Sequence, residues 1–192
     1  MVRPLEFDKD IVLSSALKCF WQQGYAATSM RDLEKVTRLS TGSIYNSFGS
    51  KEKLFEQSFD FYVDKVIGRR IHKYLEHKNA RTGILAFFED SLTSPTEIRI
   101  LGCLLVNTTV ESDVHSDVMV AKLNDAHRQV KHALKKALVR GMEAGQINGA
   151  LDAKAMASHL GIILSGILVK VKTSADTSWH KETMDFIAQL LD

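Results

Sequence analysis

The chain has 192 residues, 45% of them hydrophobic, which is enough to bury one large or two small cores. With two prolines and eleven glycines it has little room for disordered linkers, and neither a leader pattern nor a membrane-length apolar run is visible. We therefore expect a soluble, cytoplasmic protein without a membrane partner. The net charge of +2 is too small to argue for nucleic acid by composition.

This charge is unevenly distributed along the chain. Residues 1–55 contain eight lysines and arginines against six aspartates and glutamates, and the remaining seventeen of each kind cancel. The whole net charge thus lies in the N-terminal segment. This is the sign expected of a DNA-binding segment.

Three short helices are predicted at the N-terminus. Apolar residues recur at helical spacing over residues 8–23, and Gly24 is a natural stop. Thr28 or Ser29 can cap a second helix, and Ser40 can cap a third after a tight turn. The pattern is helix, turn, helix.

The third helix has one apolar and one polar face. Ile44 and Phe48 are four residues apart and so share the buried side. The outward side is small, polar and aromatic, without an acid, and it fits a DNA major groove, where hydroxyls and amides read base edges. The alternative is a surface helical hairpin whose polar face meets only water. The outward residues are Gly42, Ser43, Tyr45 and Asn46.

The middle of the chain is predicted to be helical as well. A long helix over about residues 50–77 exceeds what the small N-terminal unit needs, and a short helix follows over residues 82–92. The clearest helix start is at residues 94–97, a serine cap followed by proline and by glutamate at the capping-box position. We expect that helix to run to about Glu111 and to be deeply buried, because it is apolar nearly all round.

Three more helices are expected over residues 116–144, 152–173 and 179–191. Their apolar residues keep a helical period, and Asp152 can cap the second of them. Strand-like alternation is absent from the sequence. We therefore predict an all-α protein of about nine helices.

Two N-terminal runs carry residues of specific type at specific spacing. They are Gly24-Tyr25-x-x-Thr28-Ser29-Met30-Arg31-Asp32-Leu33 and Leu39-Ser40-x-Gly42-Ser43-Ile44-Tyr45-x-x-Phe48-Gly49-Ser50-Lys51-Glu52-x-Leu54-Phe55. This long, ungapped pattern resembles the DNA-binding domain of the tetracycline-repressor (TetR-like) family. The resemblance covers about the first third of the chain, and the remainder resembles the family only in its helical architecture.

The resemblance implies a domain organisation and a function. Residues 1–50 would be a helix-turn-helix DNA-binding domain, and residues 51–192 a larger helical domain for effector binding and dimerisation. The implied protein is a homodimeric transcriptional repressor of a palindromic double-stranded DNA operator, released by an unidentified small-molecule effector. The positions implied to bind DNA are Thr28, Ser29, Arg31, Ser40, Thr41, Gly42, Ser43, Tyr45, Asn46 and Lys51.

Several residues depart from the family pattern. Arg38 stands in the turn where the family usually has glycine, and it costs about 1 kcal/mol if the backbone there is left-handed. Glu34 and Thr37 replace the usual alanines. Asn46 belongs to a pair that usually contains histidine, and its amide can contact adenine bidentately.

The resemblance also implies an effector pocket among the middle helices. Polar or aromatic residues near otherwise apolar stretches are the candidates, since ligand pockets are mostly apolar with a few polar groups. The alternative is that each is an ordinary core residue. The candidates are Tyr62, Phe87, Cys103, Asn107, Glu111 and His127, of which Cys103, Asn107 and Glu111 are spaced by four along one predicted helix.

Dimerisation is expected because two DNA-binding domains, here called readers, contact two operator half-sites when a twofold axis relates them. The best candidate interface is a four-helix bundle across that axis, built from the last two helices of each subunit. The alternative is that these residues pack inside one subunit. The candidates are Leu160, Gly161, Leu164, Ser165, Leu168, Trp179, Phe186 and Leu190.

The same residues leave two other function classes open. One is a helical small-molecule-binding or protein-interaction module that does not read DNA, and another is a thiol-based repressor in which Cys103 senses electrophiles or oxidants. The sequence contains no glycine-rich phosphate loop, nucleophile elbow or zinc-spaced cysteine pair. We therefore expect neither an enzyme nor a bound metal or cofactor.

Overall fold

The computed structural model describes residues 7–93, 101–174 and 176–192. Over these ranges the chain forms nine helices and no strand, which confirms the predicted all-α class. The predicted helix start at residues 94–97 lies outside the described residues. The helices are α1 (Lys9–Gln23), α2 (Met30–Thr37), α3 (Thr41–Phe48), α4 (Lys51–Tyr62, continuing through the π-helical segments Val63–Gly68 and Ile71–Leu75), α5 (Ala80–Thr93), α6 (Leu104–Val110), α7 (Asp117–Glu143), α8 (Ala153–Thr173) and α9 (Ser178–Gln189).

Side-chain caps fix where most helices begin. Each capping oxygen accepts a backbone N–H of the first turn, which would otherwise lack a partner. Of the two predicted caps for α2, Thr28 and Ser29, the N-cap is Ser29, which forms a capping box with Asp32. The N-cap residues are Asp8, Ser29, Ser40, Ser50, Ser116 and Asp152.

The structure corrects the continuous helix predicted up to Glu111. Helix α6 begins only at Leu104, because Gly102 has a φ of +69°, a left-handed conformation that a helix cannot continue. The Asn107 amide donates to the carbonyl of Leu101 at 2.8 Å and so bridges the break.

Helices α1 to α3 pack onto the beginning of α4. Leu33 of α2 and Ile44 of α3 are fully buried, and the Phe20 ring of α1 meets Phe55 of α4 edge-on with centroids 4.9 Å apart. Helix α4 thus completes the small N-terminal core and continues into the rest of the molecule. This geometry supports the prediction that the long helix links the N-terminal helices to the rest of the chain.

Helices α5 to α9 build the larger core with the second half of α4. Helix α5 crosses the end of α4 so closely that a Cβ at Gly83 would lie 2.2 Å from the carbonyl oxygen of Tyr74. In the described chain α8 is the one helix long and apolar enough to span a membrane, and core helices of soluble proteins have the same composition. Leu160 and Leu164 of α8 pack inside this core.

Candidate nucleic-acid interface and internal cavity

Helix α3 presents a polar face to solvent. Ile44 and Phe48 are buried, whereas Gly42, Tyr45 and Asn46 are exposed, Tyr45 by 47%. This is the division of faces that the sequence predicts. Thr41 and Ser43 are half-buried beside the exposed residues.

Two side chains hold the start of α3. The Ser40 hydroxyl accepts the Ser43 amide at 3.2 Å and lies 2.9 Å from the Ser43 hydroxyl. A carboxylate oxygen of Glu34, on α2, accepts the Thr41 amide at 2.5 Å. Hydrogen bonds from Thr41 hold the pKa of Glu34 below its ordinary value. Glu34, which the sequence marks only as a departure from the family pattern, therefore ties α2 to α3.

In the turn between α2 and α3, Arg38 has the left-handed backbone conformation in which a side chain is strained. Its φ is 60° and its ψ 20°, so the residue is left-handed and exposed. The buried Thr37 hydroxyl donates to the Leu33 carbonyl at 2.6 Å and accepts the Leu39 amide at 3.3 Å. Thr37 thus supplies hydrogen bonds that an alanine could not make.

The residues expected to contact phosphate differ in availability. Arg31 is exposed, and so is Ser29, although its hydroxyl donates to Asp32 at 2.6 Å. The expectation for the Thr28 side chain is corrected. It is only 1% exposed and its hydroxyl donates to the Gly24 carbonyl at 2.7 Å, so that hydroxyl is not free to bind a phosphate.

Lys51, at the first position of α4, lies over an aromatic ring. Its Nζ is 4.6 Å from the centroid of Tyr25, and partial burial lowers the pKa of Lys51. The same ring lies 5.1 Å from the imidazole of His115, in the connection between α6 and α7. Burial lowers the pKa of His115, so a neutral ring is favoured there. Tyr25 thus contacts both Lys51 and the connection between α6 and α7.

A cavity of about 400 Å³ lies among α4, α5, α6, α7 and α8. Four of the six residues predicted for an effector pocket line it, namely Tyr62, Phe87, Cys103 and His127. The Tyr62 hydroxyl lies 3.3 Å from Cys103 Sγ, and burial, with the neighbouring thiol, raises the pKa of Tyr62 well above its ordinary value. Burial lowers the pKa of His127, whose Nε2 lies 2.9 Å from the Thr109 hydroxyl.

The prediction that Asn107 and Glu111 line an effector pocket is corrected, because neither residue lines this cavity. The Asn107 side chain is held by Leu101 and by Lys172, whose Nζ lies 3.4 Å from Asn107 Oδ1. The Glu111 carboxylate lies beside Gly24. The spacing of four would place Cys103 on their face only in an unbroken helix, and α6 begins after Cys103.

Two charged residues of the cavity wall, Arg70 and Lys131, were not predicted from the sequence, and Arg70 is the more buried of them. Nη2 of Arg70 donates to the Ser91 hydroxyl at 2.6 Å and to the Phe87 carbonyl at 3.0 Å, and Nε of Arg70 lies 2.9 Å from the carboxylate of Asp90. The signal was available, since Arg70 follows Val66 by one helical turn on a helix that is otherwise apolar on that side.

For Leu160 and Leu164 of α8 the predicted place in a dimer interface is corrected. Leu160 is fully buried and Leu164 is 7% exposed, because this side of α8 packs inside the subunit. Gly161, Leu164, Ser165 and Leu168 line the cavity, and so does Ile162. The exposed face of α8 is rotated from the predicted one and carries Ile162 (69% exposed), Gly166 and Val169 (50% exposed).

The predicted interface residues of α9 divide in the same way. Phe186 is 51% exposed, and Ile162 and Val169 of α8 are exposed as well. Trp179 is half-buried, with Lys170 Nζ 4.3 Å from its ring, and Leu190 is half-buried against the core. We use the name outer face for Ile162, Gly166, Val169 and Phe186.

Comparison with known proteins covers both halves of the chain. Residues 12–57 match the family described as bacterial regulatory proteins, tetR family, and residues 82–187 match the tetracyclin repressor-like C-terminal domain. The chain is 27% identical over 175 residues to the HTH-type transcriptional repressor ComR of Escherichia coli strain K12, covering 90% of this chain and 83% of ComR. It is 24% identical over 177 residues to the repressor AcnR of Corynebacterium glutamicum, covering 92% of this chain and 88% of AcnR.

Solved structures share the fold over nearly the whole length. Reduced NemR of E. coli superposes with a TM-score of 0.87 at 22% identity and covers 95% of this chain and 96% of its own. A cysteine variant of the regulator CifR bound to a 26-base-pair operator DNA superposes with a TM-score of 0.80 at 22% identity, covering 98% of both chains. At this identity the likeness speaks to the fold alone.

Proposed function

The chain belongs to the TetR family of bacterial regulatory proteins and is a DNA-binding transcriptional regulator, and from that premise we propose that it is a cytoplasmic, homodimeric repressor released from a palindromic operator by a small molecule. The observation that carries the proposal is the exposed polar face of α3. Ser40 caps the start of this helix, and Ile44 and Phe48 anchor its other face in the core. The comparisons do not favour the alternatives of an enzyme, a module that reads no DNA or a thiol sensor.

In this proposal α3 enters the major groove. Thr41, Ser43, Tyr45 and Asn46 contact base edges or the neighbouring backbone, because hydroxyls and amides pair with both. Gly42 permits close approach of the backbone. The phosphate contacts come from exposed Arg31, from Lys51 and from the N-terminal turns of α2 and α3, where Ser29 and Ser40 lie.

We propose the outer face as the dimer interface. It supports this role because it combines exposed apolar side chains with Gly166, where a second helix can approach closely. Two copies packed through α8 and α9 form a four-helix bundle on a twofold axis. The two α3 helices then read half-sites about one helical turn apart, or a multiple of it.

The release mechanism uses contacts between the cavity wall and the reader. Tyr62 lines the cavity and meets the Trp21 ring at a centroid distance of 5.2 Å, and the Trp21 indole donates to the Gly102 carbonyl at 3.1 Å. Both contacts join the end of α1 to cavity-lining segments. A ligand that favours another arrangement of α4 and α6 therefore shifts the separation of the two readers.

Footprinting on the DNA upstream of its own gene and adjacent genes tests the proposal. We expect one protected palindrome with two half-sites, and a lower affinity at higher salt, because phosphate contacts release counterions. Protection that is uniform along the DNA, or absent at micromolar protein, would overturn the proposed operator reading.

A further inference from the structure

The charge of the cavity wall differs from what the sequence predicts. The predicted lining includes one carboxylate, Glu111, and the structure places it outside the cavity beside Gly24. Two cationic side chains line the cavity instead, Arg70 of α4 and Lys131 of α7, together with His127. Among the residues that the structure describes, no aspartate or glutamate lines it.

The Arg70 guanidinium is fixed before any ligand arrives. Ser91 and the Phe87 carbonyl accept from Nη2, Asp90 lies 2.9 Å from Nε, and the guanidinium carbon is 4.7 Å from the centroid of the Phe87 ring. Within the described ranges, Nη1 makes no hydrogen bond. A guanidinium held in this way loses little conformational freedom when it binds a carboxylate.

Asp90 offsets part of the charge of Arg70 but does not line the cavity. Lys131 is exposed and lines the cavity, so the wall keeps a net positive charge. The rest of the wall is mainly aliphatic and aromatic, including Val66, Ile67 and Leu105. A wall with a large apolar area and one fixed cation suits a ligand with an apolar body and an anionic end.

We propose that the cavity binds an amphiphilic carboxylate, with an aliphatic or aromatic body among the apolar side chains and its carboxylate paired with Arg70. This rests on the proposed function only in that it names the ligand class of the effector cavity. A carboxylate enters a largely apolar cavity only where a fixed partner offsets its lost hydration. Arg70 supplies that partner, and a neutral isostere gains less from it.

Calorimetric titration of the full chain with two matched pairs of probes tests the proposal. The pairs are decanoate with decanamide, and naphthalene-2-carboxylate with naphthalene-2-carboxamide, so each pair differs in charge and hardly in shape. We expect at least one carboxylate to bind about 10-fold or more tightly than its amide. Amides that bind as tightly as both carboxylates, or carboxylates that do not bind at millimolar concentration, overturn the proposal.

Operator binding is measured on the same preparation without any probe. A chain that binds its operator but does not prefer carboxylates disproves the ligand class and leaves the proposed function standing. A chain that prefers carboxylates but binds no operator disproves the proposed function and leaves the ligand class standing. The two failures are therefore distinguishable.

The substitution Arg70→Gln tests the assigned partner. We expect it to weaken carboxylate binding about 10- to 100-fold and to change amide binding by less than about 3-fold, because charge-assisted hydrogen bonds are lost. The control is Arg69→Gln, which removes the same charge from an exposed neighbour that does not line the cavity. Equal affinities in the two variants contradict the proposal. If Arg70→Gln does not fold, Lys131→Gln at an exposed position is expected to weaken carboxylate binding by about 2- to 5-fold, and no loss overturns the proposal.

Discussion

Arg38 shows at the level of one residue how this chain departs from its family pattern. A side chain in the left-handed region costs about 1 kcal/mol relative to glycine. We expect Arg38→Gly to raise the melting temperature by about 2–4 °C, the shift that 1 kcal/mol produces in a chain of this size. Arg38→Ala keeps the Cβ and serves as control, with little change expected in calorimetry. A glycine variant no more stable than the alanine variant contradicts this account.

Glu34 gives a pH-dependent prediction at the same scale. Its pKa is lowered in the folded state by hydrogen bonds from Thr41, so its stabilising effect is present above the ordinary pKa of 4.5 and is lost as pH falls through the folded value. Glu34→Gln should therefore be less stable than wild type at pH 7, with the difference narrowing below pH 4.5. Thermal melts of both proteins from pH 7 to pH 3 measure it. Glu143→Gln, at the exposed end of α7, is the control, and a difference that does not vary with pH is the opposing result.

At the scale of helices, the close crossing of α4 and α5 depends on Gly83. A Cβ there would lie 2.2 Å from a backbone oxygen, which cannot move aside as a flexible side chain can. We expect Gly83→Ala to lower the free energy of unfolding by about 1–3 kcal/mol through overpacking. The same substitution at Gly161 of α8, where a Cβ meets nothing within 4 Å, should raise it by about 0.5–1 kcal/mol. Denaturant unfolding measures both, and changes of the same sign would be inconsistent with the crossing described.

Helix starts were predictable from sequence, and the facing of apolar helices was not. Ser40, Ser50 and Asp152 mark their helices because a capping oxygen acts within one turn, so the signal is local. Helix α8 is apolar on several sides, and its periodicity could not show whether Leu164 or Ile162 faces outward, since that depends on where α7 packs. The break at Gly102 was missed for a related reason. Leu101 and Leu104 continue the apolar pattern across it.

The candidate site shows the same limit. The outward residues of α3 follow from one short helix with a clear buried side, so their exposure was predictable. The cavity is assembled from five helices, and Arg70 joins it through partners about twenty residues away, Phe87 and Ser91. Tertiary packing of this kind leaves only a weak local trace in the sequence.

At the scale of the whole molecule, the proposed dimer depends on the outer face. We expect Ile162→Glu to make the chain monomeric, because a charge would be buried in an apolar interface. Operator affinity should then fall by about 100-fold or more, since each reader binds its half-site alone. Sedimentation velocity and operator titration measure the two effects. Val118→Glu, at an exposed position of α7, is the control, and a dimeric Ile162→Glu variant would exclude this face.

The division of the chain into a reader of residues 1–50 and a regulatory domain of residues 51–192 remains a proposal at this scale. Helix α4 belongs to both, because Phe55 completes the small core while Tyr62 lines the cavity. We therefore propose that the boundary at Ser50 separates the DNA-binding residues from the effector-binding and dimerising residues, and that α4 connects the two parts.

The most direct test of the central claim is the operator affinity of the double variant Tyr45→Ala, Lys51→Ala, measured by fluorescence anisotropy at fixed salt. Tyr45 lies on the exposed face of α3 and Lys51 begins α4, so the account predicts a loss of about 100-fold or more while the melting temperature stays near that of wild type. Lys136→Ala, an exposed lysine of α7 outside the reader, should bind as wild type does. A folded double variant that binds its operator as tightly as wild type would contradict the assignment of α3 as the DNA-reading helix.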